Sequence, residues 1–180
     1  MYYINLPEYV KNFTKVIPHK DLLKHVNGHD WCQILTKEFL TDDGIDWFLT
    51  KGIKLKSTAL LFKIPGNFEG PIHSENHAKN NFAFNFVIEG KGQMQWIENI
   101  QATTKPSTAN NTNYTVYTDI NSFEIADVWE GDIGLVRIDI PHRVVSYLER
   151  YCVSIRTVYD SAPKIFDDAV HMIYNETFGV

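Results

Sequence analysis

Gly70-Pro-Ile-His-Ser-Glu75 and the apolar run after it, Phe82-Ala-Phe-Asn-Phe-Val-Ile88, decide how this chain is read. The run is rich in aromatic and β-branched residues and is closed by Glu89-Gly90-Lys91-Gly92, which marks it as a strand. His73 and Glu75 sit two residues apart, so on an extended chain both side chains leave the same face. Far downstream, Gly131-Asp132 and an alternating apolar strand lead to Pro141-His142. Two imidazoles and one carboxylate meeting on one face would hold a divalent ion and leave about half of its octahedral shell open.

Working outward, the pattern is mostly β. Ile53–Ile64 alternates in part and stops at Pro65-Gly66-Asn67. Gln93–Ile97 alternates again, so 82–97 is expected to be a hairpin turning at Glu89-Gly90-Lys91-Gly92. Gln101–Asn113, rich in Thr, Asn and Ser and containing Pro106, reads as a long surface loop that covers or shapes a site. Further strands are expected over Tyr114–Thr118, Ser122–Val128, Ile133–Ile138, Val144–Leu148 and Tyr151–Val158. Before this core, residues 1–18 read as a short strand or packed arm and Asp21–Val26 as a short helix. Trp31–Leu35 reads as a strand, and Asp42–Leu49 as a turn leading into a partly buried segment. Apolar residues about one helical turn apart from Pro163 to Phe178 predict a terminal helix. Many short strands with helices at the two ends favour a mainly β single domain over 1–180, a sandwich or jelly roll with its core at about 53–158.

Composition narrows the function classes. A chain of 180 residues, 44% hydrophobic, is long enough and apolar enough to bury a core. A formal charge of −5 with no basic cluster argues against nucleic acid as a partner. No apolar run approaches the roughly 20 residues of a membrane span. Cys32 and Cys152 are widely separated and form no disulfide framework, which fits a cytoplasmic, reducing setting. Gly-x-Ser-x-Gly, Walker and Cys-x-x-Cys motifs are absent, which disfavours hydrolase, nucleotide and structural-zinc readings. The expected partner is a small-molecule or peptide substrate, with a homodimer left open.

The residues leave several assignments open. His73-x-Glu75-x-His77 shares one parity, so spacing does not choose between Glu75 and His77 as a ligand beside His73 and His142. On the last main strand Arg150, Cys152, Ser154 and Arg156 take one face and Tyr151, Val153 and Ile155 the other. Either the polar face is solvated, or it lines a pocket in which an arginine pairs with an acid and a serine hydroxyl supports it. Asn85 breaks the apolar strand and either bonds to neighbouring backbone or touches a bound molecule. Trp96, Trp129, Phe84 and Phe86 are expected in the core.

Across residues 58–158 the chain resembles the Fe(II)/2-oxoglutarate-dependent oxygenase superfamily, in particular small prokaryotic and phage-type members near the aspartyl/asparaginyl and prolyl hydroxylases. The resemblance rests on His73-Ser-Glu75 followed by Phe82-Ala-Phe-Asn85-Phe. It continues in Gln95-Trp96, in Pro141-His142-Arg-Val144, and in Arg150-Tyr-Cys-Val-Ser154-Ile-Arg156. It implies a double-stranded β-helix in which His73, Glu75 and His142 hold Fe(II). It also implies that Arg150 binds the distal carboxylate of 2-oxoglutarate, with Ser154 in support and Arg156 in reserve, and that a C–H bond is hydroxylated. Glu75 departs from the family's usual Asp. A second likeness is to cupins: Phe86-Val-Ile-Glu-Gly-Lys-Gly92 and Gly131-Asp132 with Pro141-His142 resemble their two motifs. That reading implies a metal-dependent isomerase or dioxygenase that also uses His77. A third reading is a non-enzymatic β-sandwich that binds a ligand or builds an assembly.

Overall fold

The computed structural model describes residues 1–16, 23–26, 29–75, 82–109, 112–158 and 165–174. Its strands are β1 (Tyr3–Asn5), β2 (Lys24–Val26), β3 (His29–Leu35), β4 (Leu55–Ile64), β5 (Phe68–Glu69), β6 (His73–Glu75), β7 (Phe82–Glu89), β8 (Gly92–Ala109), β9 (Thr112–Trp129), β10 (Ile133–Arg137), β11 (His142–Ser146) and β12 (Arg150–Thr157). A 3₁₀ helix, Glu8–Phe13, follows β1. Helices α1 (Thr36–Phe39) and α2 (Asp42–Thr50) precede β4, and α3 (Phe166–Tyr174) closes the described chain.

Two antiparallel sheets form, one ordered β1-β10-β7-β12-β4-β3-β2 and the other β5-β11-β6-β9-β8. From β4 onward the chain passes back and forth between them. β4, β7, β10 and β12 lie in the larger sheet, while β5, β6, β8, β9 and β11 lie in the smaller. This alternation is consistent with a double-stranded β-helix, or jelly roll, architecture. Within the smaller sheet β11 pairs with both β6 and β8, and β9 also pairs with both, so four strands close on themselves.

The larger sheet is buried on both faces, which is why β7 reads as a nearly unbroken apolar run. Phe82, Phe84 and Phe86 point to the helical side, where Phe86 meets Phe39 at 5.2 Å and Phe84 meets Phe48 at 4.9 Å between ring centroids. Each buried ring contributes about 1.5–3 kcal/mol. The alternate residues, Ala83, Asn85 and Val87, face the space between the sheets. β12 is built alike: Tyr151, Val153 and Ile155 join the helical-side core, leaving Arg150, Cys152, Ser154 and Arg156 for the interior. α2 begins at Thr41, whose Oγ1 accepts a hydrogen bond from the Gly44 amide at 3.1 Å. α3 buries Phe166, Ala169 and Ile173, the stripe that its spacing predicts.

Four local expectations need correction. Strands 82–89 and 92–97 are not a hairpin: β7 pairs with β10 and β12, and β8 with β9 and β11. The connection crosses between sheets at Gly90 (φ 86), where a Cβ would overlap the Glu149 carbonyl, so glycine is required. Gln101–Asn113 is not a loop where it is described but the far half of a long β8–β9 hairpin, and Tyr114–Thr118 and Ser122–Val128 are one strand. Both faces of that half are largely exposed, so no apolar alternation announces it. Pro106 is tolerated because β8 beyond Trp96 pairs on one side only among the described residues. Lys24–Val26 is a strand paired with β3 rather than helix, while 21 and 22 lie outside the described residues. Asp42–Thr50 is a helix rather than a turn, and the segment is partly buried as expected, through Gly44 and Phe48.

Candidate metal centre

His142 opens β11 directly opposite His73 on β6, and the two rings stand 4.4 Å apart between centroids. Glu75, two residues beyond His73, comes up on the same face. One ligand atom from each of His73, Glu75 and His142 lies within 4.8 Å of the others. A first-row divalent ion with bonds of about 2.1 Å at right angles needs such atoms about 3 Å apart, so binding would draw the three side chains closer together.

The backbone sets both imidazoles in the ligating tautomer. Nδ1 of His142 donates to the Ile140 carbonyl at 2.7 Å, and Nδ1 of His73 donates to the Pro71 carbonyl at 3.0 Å. A carbonyl only accepts, so each Nδ1 carries the proton and each Nε2 keeps its lone pair for an ion. Burial pushes the His142 pKa well below the ordinary imidazole value. The neighbouring His73 and Arg156 add to this, and the hydrogen bond to Ile140 only partly opposes it. His142 is thus held neutral, the state in which it binds metal.

A cavity of about 190 Å³ runs from this cluster along the inner face of β12. Arg150, Cys152, Ser154 and Arg156 all line it, as does Asn85, so the polar face of β12 turns inward and not to solvent. The two arginines do different things. Arg156 Nη2 donates to Glu75 Oε1 at 2.6 Å, and its Nη1 donates to Ser154 Oγ at 2.9 Å. Arg150 is 2% exposed, and its Nε and Nη1 have no hydrogen-bond partner among the described residues. Asn85 Oδ1 and Trp31 Nε1 are unpartnered in the same space. A buried guanidinium without an anion costs on the order of several kcal/mol, so this end of the cavity is built to receive one. Burial raises the pKa of Cys152, partly offset by Arg150, which keeps the thiol protonated and a poor nucleophile.

His77 lies outside the described residues. Trp31 and Tyr114 line the cavity although nothing in the sequence singled them out, and Ser107 lies in the stretch expected to cover or shape a site. Tyr114 stands opposite Glu75 on β9 and packs edge-on to His73 at 5.5 Å. Trp31 faces inward because Cys32 and Ile34 take the helical side of β3. Ser107 pairs with Tyr114, which in turn pairs with Glu75, and so comes to the cavity's edge.

No protein-family model and no curated protein matches this sequence. Among solved structures, Bacillus subtilis oxalate decarboxylase aligns at 10% identity with a TM-score of 0.39, over 78% of this chain and 28% of that one. A salicylate 1,2-dioxygenase from Pseudaminobacter salicylatoxidans aligns at 12% with a TM-score of 0.36, over 72% and 26%. The plu4264 protein of Photorhabdus luminescens aligns at 13% with a TM-score of 0.37, over 88% and 92%. The chain spans less than a third of the length of the first two. The strand order, not these likenesses, carries the fold.

Proposed function

We propose that this chain is a non-haem Fe(II)/2-oxoglutarate-dependent oxygenase, a single domain over 1–180 that hydroxylates a small-molecule or peptide substrate in the cytoplasm. The observation that carries the reading is the pairing of one cavity's two ends: a two-histidine, one-carboxylate cluster, and the buried, unpaired Arg150. His73, Glu75 and His142 would hold the iron. Bound there with 2-oxoglutarate, iron supplies oxidative decarboxylation coupled to C–H hydroxylation.

The chain's own residues do the binding and aiming. Arg150 would take the distal carboxylate through two parallel hydrogen bonds. Trp31 Nε1 is a further unpartnered donor in the same cavity. Glu75 alone does not balance a divalent ion and two guanidinium groups, so the cavity favours a dianion. About 190 Å³ is below the roughly 300–1,000 Å³ of drug-sized sites. That suits a short dicarboxylate, with the substrate approaching at the mouth under the β8–β9 hairpin. Phe62, Ile64 and Val144 give the cavity apolar walls.

The cupin-like isomerase or dioxygenase reading calls for a pocket without an arginine anchor, and Arg150 is against it. A sealed interior with scattered histidines would suit a non-enzymatic sandwich, and the gathered cluster and the buried arginine beside an open cavity are against that. The test is turnover of 2-oxoglutarate to succinate by the iron-loaded protein under air without added substrate. Slow succinate release that Arg150→Ala abolishes is expected. Release unaffected by Arg150→Ala, or none at saturating 2-oxoglutarate, contradicts the assignment.

A further inference from the structure

Glu75 stands where the resemblance leads one to expect aspartate, and its extra methylene matters for coordination. A glutamate on a longer stem can close on an ion through both oxygens. With two imidazoles, that would occupy four of the six octahedral positions. A chelating 2-oxoacid and a diatomic gas together need three.

Oε1 of Glu75 is already engaged. Arg156 Nη2 donates to it at 2.6 Å, while Nη1 is braced on Ser154 Oγ at 2.9 Å. The contact spans the two sheets, from β12 to β6, and its side chains are 17% and 7% exposed, so solvent competes weakly for either partner. A charge-assisted bond of this length in a sheltered site is among the stronger hydrogen bonds a protein makes. We infer that Arg156 restricts Glu75 to one-oxygen coordination and thereby keeps a third position on the metal open. Arg156 is a positioning residue: it touches the ligating carboxylate and not the substrate. The inference rests on the metal-centre reading above. It also assigns Arg156 a task that excludes it from anchoring the co-substrate, which falls to Arg150.

A pair that only ties the sheets together would leave the ion's water count alone, so that count is the readout. Mn(II) is added to the protein with no organic ligand, and bound waters are counted by pulsed EPR in ¹⁷O-enriched water. The wild type should carry about three. Arg156→Gln should carry about two, as the released oxygen closes on the ion, and should bind Mn(II) several-fold more tightly because of the added bond. Arg156→Lys keeps a donor and should restore about three. Should Arg156→Gln fail to fold, Ser154→Ala, which removes only the brace, should give a mean below three. An unchanged count in Arg156→Gln, or in Ser154→Ala where that serves instead, overturns the inference. So does a wild type that binds Mn(II) with about two waters, in which case the metal centre still stands. A wild type that takes up no Mn(II) removes the metal centre itself.

Discussion

The space between the two sheets has two unlike halves. In one, Trp96, Trp129, Met94, Val136 and Ile138 are buried against each other, and the indole N–H of each tryptophan is satisfied: Trp96 by the Arg137 carbonyl at 3.0 Å and Trp129 by Asn5 at 2.8 Å. In the other half β6, β11 and β12 bring His73, Glu75, His142 and Arg150 around an open cavity, where Arg150, Asn85 and Trp31 have side-chain atoms without hydrogen-bond partners among the described residues. The first half is filled and holds the sheets together. The second gives up packing and solvation for a place to bind something. Natural chains break the rules of satisfied polarity mainly where function requires it.

Substitutions that separate the halves should differ in kind as well as in size. His142→Ala removes a proposed ligand whose imidazole is already oriented by the Ile140 carbonyl. Isothermal titration should show Fe(II) or Mn(II) affinity falling by about a thousandfold or to nothing, with the fold retained by circular dichroism. Trp96→Ala acts on the filled half, where the ring is fully buried and stacked on Tyr2 and Tyr3 at 5.8 and 5.5 Å. It should cost about 3–5 kcal/mol in denaturant unfolding, and a cost below about 1 kcal/mol would contradict the packing described. Arg150→Met should lower 2-oxoglutarate affinity by about 10- to 100-fold and leave metal affinity alone. Without ligand, the same variant should be as stable as the wild type or about 1 kcal/mol more stable, because a buried unpaired charge is gone. A loss of both stability and metal binding would mean that Arg150 is a structural cation.

The smallest expected effect is on pH dependence. His142 in the folded protein resists protonation, whereas in the unfolded chain it titrates near 6.5. The folded state therefore binds fewer protons as pH falls, so the stability present above about 6.5 is lost progressively below it. Thermal unfolding of metal-free protein from pH 8 to pH 5 should show this decline, and His142→Ala should flatten it. An equal slope in both would place the titrating group elsewhere.

How much of this was legible in the sequence follows from the same contrast. His73 and Glu75 could be put on one face by parity alone, and Phe82–Ile88 announced its strand through aromatic density. The union of residues 73 and 75 with 142 was not readable, because it depends on β6 and β11 pairing across a long separation. The two faces of β12 were visible as an alternation, but whether the polar one met solvent or a cavity depended on the second sheet. The far half of the β8–β9 hairpin misled because its strand signal is carried by exposed threonines, which have strand propensity without an apolar face. Gly90 looked like a hairpin turn, since the same glycine also serves a crossing between sheets. Trp31 and Tyr114 had no signal at all, as a lining aromatic and a core aromatic are alike in sequence.

On the proposed function, two remote histidines and one glutamate close around a single iron that then accepts a dicarboxylate held by Arg150. Anaerobic titration with Fe(II), followed by 2-oxoglutarate, tests it most directly. One equivalent of iron should bind, and adding 2-oxoglutarate should raise a weak visible charge-transfer band that saturates in the wild type and is absent in His142→Ala. Iron binding that survives His142→Ala, or no saturable band in the wild type, would contradict the account.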